Sequence, residues 1–375
     1  MSDELRVIIS GGGTGGHIFP AVSIANAIKV LRPDAKILFV GAQGRMEMQR
    51  VPAAGYEIVG LPIRGFLRPL WRLGNFGVAL DYLKSKWQAK KILKDFQPQV
   101  AVGVGCYASS AALGAANSLG IPTLLQEQNS YAGLANKTLA YKASKICVAY
   151  EGMERFFPAE KIMLTGNPVR QQLLDSPITR EEALASFGLS TEKKTVLIVG
   201  GSLGARTLNE SVLGHLELIR QHKNVQFIWQ TGKYYSQEIC QRLSDNKPQN
   251  LVVTDFIADM AAAYRAADLV ISRAGAGSIS EFCLLGKAVI LVPSPNVAED
   301  HQTKNALALV NKQAALYVKD VEAAKLLLPL AIDTVNDAAK LQSLSEHILT
   351  MALPDAAEII AKEVIALANS SKRTL

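Results

Sequence analysis

The chain has 375 residues, of which 49% are hydrophobic and 19% charged, and its formal net charge is +7. This length exceeds what one hydrophobic core usually supports, so two domains are expected, and the composition excludes disordered and fibrous proteins. The four cysteines lie far apart and form no CxxC or Cys/His pattern, which argues against a disulfide framework or a zinc site and favours a reducing cytoplasm. Because the N-terminus is acidic and lacks a long apolar segment, we expect no export signal.

Short apolar strands alternate with helical segments in the first part of the chain. We predict strands at 5–10 and 36–40 with a helix at 20–31 between them, which is a βαβ unit. Further apolar strands are predicted at 100–104, 123–125 and 145–149. Because strands that are apolar throughout are buried on both faces, the pattern predicts a parallel sheet covered by helices on each side.

The stretch 96–126 contains no charged residue and is long enough to cross a membrane. Glycines, a proline and the Ser109-Ser110 pair interrupt it. These residues divide the stretch into a strand, a loop, an alanine-rich helix and a second strand, so we predict no membrane span here.

After Gly166-Asn167-Pro168 the strand pattern begins again. Strands are predicted at 195–199, 226–230, 251–254, 269–272 and 288–292, which indicates a second Rossmann-like domain. The tail after Pro354 is predicted to form an amphipathic helix that crosses back onto the first domain. Its apolar face consists of Ala356, Ile360, Val364 and Leu367.

Four glycine loops follow predicted strands. Gly11, Gly13 and Gly16 satisfy GxGxxG, and the other loops are 103–107, 200–202 and 274–278. Bare backbone amides at a helix N-terminus bind anions, so the set predicts a phosphorylated substrate between the two domains, although a tight turn without a ligand would explain any single loop. A dinucleotide is disfavoured because the second strand ends in Gly41-Ala42-Gln43 without an acidic residue. The absence of GxxxxGK[ST] excludes a Walker-type phosphatase.

Five motifs, taken in their order and spacing, resemble the MurG family over nearly the whole chain. They are Gly12-Gly13-Thr14-Gly15-Gly16-His17, Gln126-Glu127-Gln128-Asn129, Gly166-Asn167-Pro168-Val169-Arg170, Gly200-Gly201-Ser202, and His301-Gln302 through Asn305-Ala306. The resemblance implies the α/β GT-B architecture, in which two Rossmann-like doubly wound domains face each other across a cleft. It also implies inverting transfer of N-acetylglucosamine from UDP-GlcNAc to the C4 hydroxyl of undecaprenyl-diphosphate-MurNAc-pentapeptide in peptidoglycan synthesis. No cofactor or metal is expected, and the chain has no DxD triplet.

The resemblance assigns donor binding to a domain at 167–352. Ser202 and the start of the helix after the fourth loop would hold the diphosphate, Glu281 would bind the ribose hydroxyls, and Ile257 would meet uracil through its main chain. For Glu281 the alternative is a solvated helix charge. The residues of that helix start are Ala276, Gly277, Ser278, Ile279 and Ser280. Arg170 would reach in from the junction, and the sugar hydroxyls would be read by Asn129, Gln302 and Asn305.

Acceptor and membrane binding are assigned to 1–166 together with a C-terminal helix at 353–375. His17 is the leading candidate for the base, because a helix N-terminus favours the neutral imidazole that accepts a proton. Alternatively it caps the loop or binds the acceptor diphosphate, and Glu127 is the second candidate for the base. The residues expected to face the lipid diphosphate include Thr14, Gly15, Gly16 and Tyr107.

This chain departs from the family pattern at three places. Gln126 stands where His is common, and Leu203 stands where Gln usually follows the serine. In the second glycine loop Cys106 replaces a usual Gly and Ser110-Ala111 replaces Gly-Pro, which puts the acceptor contacts of that loop in doubt.

The segment 64–94 carries eight basic residues against Asp81 alone, mixed with aromatic and apolar residues. The mixture predicts contact with an anionic membrane surface and peripheral attachment to the cytoplasmic face of the inner membrane. A solvated helix with core aromatics is the alternative, and no nucleic-acid partner is expected because no binding motif accompanies the charge. The basic residues are Arg64, Arg68, Arg72, Lys84, Lys86, Lys90, Lys91 and Lys94, and the apolar ones are Phe66, Leu67, Leu70, Trp71, Phe76, Leu80, Tyr82 and Trp87.

Two other functions fit the same residues. One is transfer from a UDP-sugar to diacylglycerol or another lipid. The other is a non-catalytic nucleotide-sugar-binding protein at the membrane.

Overall fold

The computed structural model describes residues 4–65, 75–169 and 171–371. The chain divides into two compact units, the first formed by Met1–Arg170 with Leu353–Leu375 and the second by Gln171–Ala352. Arg170, assigned to the donor from the sequence, and the basic and apolar residues at 66–74 lie outside the described residues.

The first unit contains a seven-stranded sheet in the order β3-β2-β1-β4-β5-β6-β7, in which every strand pair is parallel. Its strands are β1 Arg6–Ser10, β2 Lys36–Ala42, β3 Glu57–Leu61, β4 Val100–Gly103, β5 Thr123–Glu127, β6 Lys145–Val148 and β7 Ile162–Leu164. Because Ser10 of β1 pairs with Gly103 of β4, the loops that follow these two strands leave the sheet side by side.

Helices cover both faces of this sheet. They are α1 Gly15–Leu31, α2 Glu47–Ala53, α3 Asn75–Phe96, α4 Cys106–Ser118, α5 Leu134–Leu139 and α16 Ala356–Ser371. Successive residues of β1 point to opposite faces, so Val7 and Ile9 pack with α1 and α16 whereas Ile8 packs with α3 and α4.

The C-terminal helix α16 packs against α1, as predicted from the sequence. Ile360 and Val364 are fully buried and Leu367 is partly buried against the same core. The return of the chain to the first unit therefore follows from the apolar face of this helix.

The second unit contains a six-stranded sheet in the order β10-β9-β8-β11-β12-β13, again with parallel pairs. Its strands are β8 Lys194–Val199, β9 Val225–Gln230, β10 Leu251–Thr254, β11 Leu269–Ser272, β12 Val289–Leu291 and β13 Leu316–Tyr317. Its helices are α6 Gln171–Leu174, α7 Arg180–Ser186, α8 Arg206–Leu213, α9 Leu216–Gln221, α10 Ser236–Leu243, α11 Met260–Ala266, α12 Ala276–Leu284, α13 His301–Val310, α14 Asp320–Asn336 and α15 Ala338–Leu349. Trp229 and Phe227 of β9 are the largest side chains in its core.

The predicted fold class, two doubly wound parallel sheets, is confirmed. The uncharged stretch 96–126 forms the end of α3, then β4, α4 and β5, as predicted. In the described part of the chain, no helix combines the length and the apolar character needed to cross a membrane.

Two details were not predicted. Helix α1 begins at Gly15, five residues before the predicted start, so Pro20 lies inside the helix. The strands β3, β7 and β13 were missed, and each is an edge strand of its sheet. Edge strands are half-exposed, so they lack the continuous apolar run that marks central strands.

Candidate active site

The first glycine loop runs from β1 to α1 and passes too close to other groups to carry side chains. A Cβ on Gly11 would lie 2.0 Å from Cγ2 of Val104, and one on Gly12 would lie 2.2 Å from Oε1 of Glu47. Gly13 has a φ of +80°, which L side chains rarely adopt. These three glycines are therefore required by the fold of the loop itself.

Glu47 is fully buried beneath this loop, and its role was not predicted from the sequence. Its Oε2 accepts a hydrogen bond of 2.8 Å from the Gly13 amide, and its Oε1 accepts one of 3.0 Å from the Ala42 amide. The sequence at the end of β2 has no acidic residue, but the fold brings the Glu47 carboxylate close to it. That carboxylate accepts from the backbone of the glycine loop.

His17 lies in the first turn of α1, between the glycine loops that follow β1 and β4. Its Nδ1 lies 3.2 Å from Oγ1 of Thr14. A Cβ on Gly105 would lie 2.9 Å from its Nε2, so the ring edge contacts the second loop. The structure therefore brings His17 together with Thr14, Gly16 and the loop that contains Tyr107.

The second glycine loop adopts left-handed backbone conformations at two successive residues. Gly105 has a φ of +95° and Cys106 a φ of +75°. A left-handed conformation costs a non-glycine residue roughly 1–2 kcal/mol, which explains why glycine suits the position of Cys106. Burial, with a smaller contribution from the negative charge of Glu47, raises the pKa of the Cys106 thiol to about 11. Burial also raises the pKa of Tyr107.

Glu127 is buried at the end of β5, and four donors surround its carboxylate. Oε1 accepts from the amide and the side chain of Asn129 at 3.1 and 3.3 Å, and Oε2 accepts from the Gly133 amide and the Asn136 side chain, both at 2.9 Å. These contacts hold the turn after β5 in place. Because the four donors occupy the carboxylate oxygens, Glu127 is poorly placed to accept a further proton.

Gln126 belongs to a network of buried side-chain amides. Its Nε2 donates to Asn167 Oδ1 at 2.9 Å, and Asn167 Nδ2 donates to the Gln128 carbonyl at 3.0 Å. Gln128 Nε2 donates to the Val104 carbonyl at 2.9 Å, next to the second glycine loop. Gln126 is thus part of the hydrogen-bonded support of the second glycine loop, to which it contributes a neutral amide.

In the second unit, the loop after β8 packs tightly against the loop after β9. A Cβ on Gly204 would lie 2.1 Å from the Thr231 carbonyl oxygen, and one on Gly232 would lie 2.1 Å from the Gly204 nitrogen. Ser202 and Leu203 are exposed at the tip of this loop. The backbone shape of the loop is therefore fixed while its tip remains accessible to solvent.

Gln230, which sequence analysis missed, joins two predicted donor segments. Its Nε2 donates to the Gly201 carbonyl at 2.9 Å, and its Oε1 accepts from the Ile257 amide at 3.0 Å. The Ile257 side chain is buried. One side chain thus fixes the glycine loop relative to the predicted uracil contact.

Helix α12 begins at Ala276, inside the predicted fourth glycine loop, with Gly275 as its N-cap and no side-chain hydrogen bond at the cap. The first amides of any helix have no partner within the helix, and those of α12 belong to 276–278. Ser280 donates to the Ala276 carbonyl at 3.1 Å, and Ile279 is buried. The predicted contacts at 276–280 therefore lie at one helix terminus, whereas Ser202 lies in the loop after β8.

Glu281 lies one turn further along α12 and is only 9% exposed. Tyr264 donates its hydroxyl to Oε2 at 2.9 Å, and its ring packs edge-on against Phe282. The alternative that Glu281 is a solvated helix charge is therefore wrong. Its carboxylate is held in a fixed position.

Gln302 and Asn305 hold neighbouring loops. Gln302 Oε1 accepts from the Ser294 amide at 2.8 Å, and the buried Asn305 donates to the Ala274 carbonyl at 3.4 Å. Asn305 thus lies behind the start of α12.

Arg273, another residue that sequence analysis missed, anchors the same loops. It donates to Asp320 and to the carbonyls of Val292 and Pro293, the last two at 3.0 and 3.2 Å. Asp320 also accepts a hydrogen bond of 2.9 Å from Thr207 in the first turn of α8. This ion pair connects the ends of β11 and β12 with the start of α8.

The basic segment forms the exposed face of α3 in the described residues. Leu80, Leu83 and Trp87 are 56%, 62% and 71% exposed, and they lie at helical spacing with the exposed Lys84 and Lys91. Leu83 was not among the predicted apolar residues.

Two predicted members of this segment have other partners. Arg64 forms an ion pair of 2.6 Å with Asp81, the only acidic residue of the segment. Tyr82 packs partly buried against the core, and its hydroxyl lies 3.4 Å from Ser110 Oγ.

Two doubly wound units with glycine loops at the carboxyl ends of their strands, and a buried carboxylate one turn into α12, are the architecture of GT-B glycosyltransferases. Comparisons with known proteins agree. The chain matches the glycosyltransferase family 28 N-terminal domain at residues 7–148 and the family 28 C-terminal domain at residues 195–360.

Relatives narrow this class. The chain is 67% identical over 99% of its length to a Bacteroides fragilis protein, and 59% identical over 96% of its length to one from Parabacteroides distasonis, with 98% of each relative covered. Both are named UDP-N-acetylglucosamine--N-acetylmuramyl-(pentapeptide) pyrophosphoryl-undecaprenol N-acetylglucosamine transferase. The crystal structure of Acinetobacter baumannii MurG superposes with a TM-score of 0.78 at 29% identity, covering 96% of this chain and 99% of that one. The chain belongs to the MurG family, as its motifs predicted.

Proposed function

We propose that this protein transfers N-acetylglucosamine from UDP-GlcNAc to the C4 hydroxyl of undecaprenyl-diphosphate-linked MurNAc-pentapeptide. The names of relatives up to 67% identical over nearly the whole chain support this substrate pair. The observation that carries the proposal is Glu281, a carboxylate fixed by Tyr264 one turn from the N-terminus of α12. This arrangement suits a uridine diphosphate, because the helix terminus attracts phosphate and a carboxylate accepts from both ribose hydroxyls.

The second unit, Gln171–Ala352, is proposed to bind the donor, for which the sequence predicted a domain at 167–352. The amides at the start of α12 and Ser202 bind the diphosphate, and Glu281 binds the ribose. Ile257 contacts uracil through its main chain, and its amide already bonds to Gln230, so its carbonyl is the group proposed to meet the base. Arg170, Asn129 and Gln302 complete the donor contacts as proposals from the family motifs. Asn305, which those motifs also assign to the sugar, is proposed to support the start of α12, since its side chain is fully buried.

The first unit is proposed to bind the acceptor. The loop residues Thr14 to Gly16 and the loop of Tyr107 contact the lipid diphosphate. His17 takes the proton from the C4 hydroxyl as that oxygen attacks the anomeric carbon. In the proposed tautomer Nδ1 carries the proton and donates to Thr14 Oγ1, so Nε2 is the nitrogen that takes the proton from the acceptor.

The reaction proceeds in one displacement. The C4 oxygen forms a bond to the anomeric carbon while the bond to the UDP oxygen breaks, and the configuration at that carbon inverts. The leaving UDP carries negative charge, which the N-terminal dipole of α12 stabilises.

The exposed face of α3 is proposed to attach the protein to the cytoplasmic face of the inner membrane. Leu80, Leu83 and Trp87 would enter the headgroup region while the lysines meet anionic lipids. Nucleic acid is not proposed as a partner.

Turnover with purified protein tests this proposal. UDP should be released from UDP-GlcNAc only when the lipid-linked muramyl acceptor is present. Release with diacylglycerol in its place would favour a different lipid acceptor. Tight binding of UDP-GlcNAc without release under any condition would favour the non-catalytic alternative.

A further inference from the structure

Glu47 is an unusual residue to find beneath a loop that is proposed to bind a diphosphate. It is fully buried, and it is the first residue of α2, where the helix N-terminus favours a negative charge. Buried carboxylates are costly unless hydrogen bonds satisfy them, and Glu47 has two from backbone amides at 2.8 and 3.0 Å.

Two glycines provide the space for this carboxylate. A Cβ on Gly12 would lie 2.2 Å from Oε1, and a Cβ on Gly41 would lie 2.6 Å from Cγ of Glu47. One glycine belongs to the loop after β1 and the other to β2. The loop and the strand therefore carry no side chain at the two positions that face Glu47.

The contact fixes the segment that leads into His17. Gly13 is the residue with the left-handed φ of +80°, and its amide is the group that Glu47 holds. Thr14 follows, and its carbonyl accepts the amides of His17 and Ile18 at 3.1 Å each. The Gly13 amide that the carboxylate holds is thus four residues before the proposed base, and Thr14, the N-cap of α1, lies between them.

We propose that Glu47 is a positioning residue for the transfer reaction: by binding the Gly13 amide it sets the loop conformation that orients His17. The same contact commits the Gly13 amide, so acceptor phosphate binding falls to Thr14, Gly15 and Gly16 at the start of α1. This inference depends on the proposed function, because it assumes that His17 acts on the acceptor.

Glu47→Gln is the sharpest variant. It keeps the shape but replaces one acceptor oxygen with an NH₂ group, which must face the amide of either Gly13 or Ala42, so two donors meet. We expect kcat to fall on the order of 10-fold to 100-fold, as misplacement of a catalytic group by about 1 Å can produce. The Kd for UDP-GlcNAc should be unchanged, because Glu47 belongs to the other unit.

Gln99→Ala is the matched control. Gln99 binds the opposite end of β1, where its Oε1 accepts from the Arg6 amide at 2.6 Å and its Nε2 donates to the Glu4 carbonyl at 3.1 Å. The variant removes two hydrogen bonds between a side chain and the backbone at the start of β1, at the end of the strand that lies far from the glycine loop. It should retain the kcat of the wild type at temperatures well below its Tm.

Gly41→Ala provides a second route if Glu47→Gln does not fold, since its methyl group displaces Glu47 from the β2 side. Hydrogen exchange of a peptide covering 10–18 adds a direct readout, because the Gly13 amide should lose protection in both variants. Wild-type enzyme is assayed in parallel, and its failure to turn over would reject the proposed function alone. A folded Glu47→Gln enzyme with wild-type kcat, or an equal loss in Gln99→Ala, would overturn the role of Glu47.

Discussion

The first glycine loop of the first unit and the glycine loops of the second unit are supported in opposite ways. Beneath that first loop the support accepts from an amide, since Glu47 accepts from Gly13. In the second unit, the supports donate to carbonyls, since Gln230 binds the carbonyl of Gly201 and Asn305 binds that of Ala274. The negative charge of the buried Glu47 weakens the attraction of the first loop for anions. The supports in the second unit are neutral, and they bind carbonyls and do not use the amides of its loops. The same sequence feature therefore serves different chemistry in each unit.

The largest effect is expected from His17→Ala. Loss of a general base typically costs 10²-fold to 10⁴-fold in rate, so kcat should fall by about that factor while the Kd for UDP-GlcNAc stays the same. Turnover assays and calorimetry would measure both quantities.

Glu127→Gln is the matched comparison for His17→Ala, because it changes the other candidate for the base. If His17→Ala keeps its activity and Glu127→Gln abolishes it with its fold intact, then the assignment of the base is wrong.

Glu281→Ala should act on binding to the second unit. Removing a carboxylate that accepts from two ribose hydroxyls should raise the Kd for UDP-GlcNAc roughly 10-fold to 100-fold, since hydrogen bonds to charged groups contribute about 1.5–3 kcal/mol. Calorimetric titration with UDP-GlcNAc would measure it.

Tyr264→Phe is the control for that variant, because it removes only the hydroxyl that holds Glu281 at 2.9 Å. It should give a smaller rise in Kd than Glu281→Ala. Donor affinity that is unchanged in Glu281→Ala would move the ribose site elsewhere.

Replacing Leu80, Leu83 and Trp87 together with serine should weaken membrane binding. Burial of each such side chain contributes about 1.5–3 kcal/mol, so the affinity for vesicles with anionic lipid should fall at least 10-fold. Co-sedimentation at rising salt would separate this loss from the lysine contribution, which screening weakens.

Val30→Ser is the control for the membrane variant, since Val30 is an exposed apolar residue of α1 in the same unit. It should sediment with vesicles as the wild type does. Equal binding of the triple variant and the wild type would remove α3 as the attachment surface.

The smallest effect on catalysis is expected at Lys287, which precedes β12 at the amino ends of the strands of the second sheet. Its Nζ donates to the Ala267 carbonyl, just before β11, at 3.0 Å. Burial lowers the pKa of Lys287 to about 8. Between pH 8 and the ordinary lysine pKa the unfolded chain holds the proton that the folded chain has released, so the wild type gains stability as pH rises through this window.

Lys287→Met should therefore be more stable than the wild type by roughly 1–3 kcal/mol at pH 7, and this difference should shrink towards pH 10.5. Chemical denaturation at several pH values would show it, and kcat should not change. A difference that is constant with pH would mean that the buried charge is not its cause.

Much of the fold could be predicted because central strands carry continuous apolar runs, as in Val7-Ile8-Ile9, and because Ile360 and Val364 mark the face of α16. The edge strand Glu57–Leu61 could not, since only its last two residues are buried. The predicted start of α1 at residue 20 is five residues late, because Gly15 and Gly16, which are poor helix formers, lie in its first turn.

The residues proposed to touch substrate were accessible from motifs, but those that support them were not. Glu47, Gln230 and Arg273 lie in no glycine motif, and their roles depend on which loops the sheet order brings together. Gly12 shows the difference most clearly. The sequence suggested a place for phosphate, and the structure places a carboxylate there.

The division of labour between the two units is tested most directly by a crystal structure of the protein with UDP-GlcNAc bound. The ribose hydroxyls should lie within hydrogen-bond distance of Glu281, and the diphosphate should lie at the first amides of α12 and at Ser202. A diphosphate bound instead at Gly11 to Gly16, with Glu281 still bound only to protein groups, would contradict it.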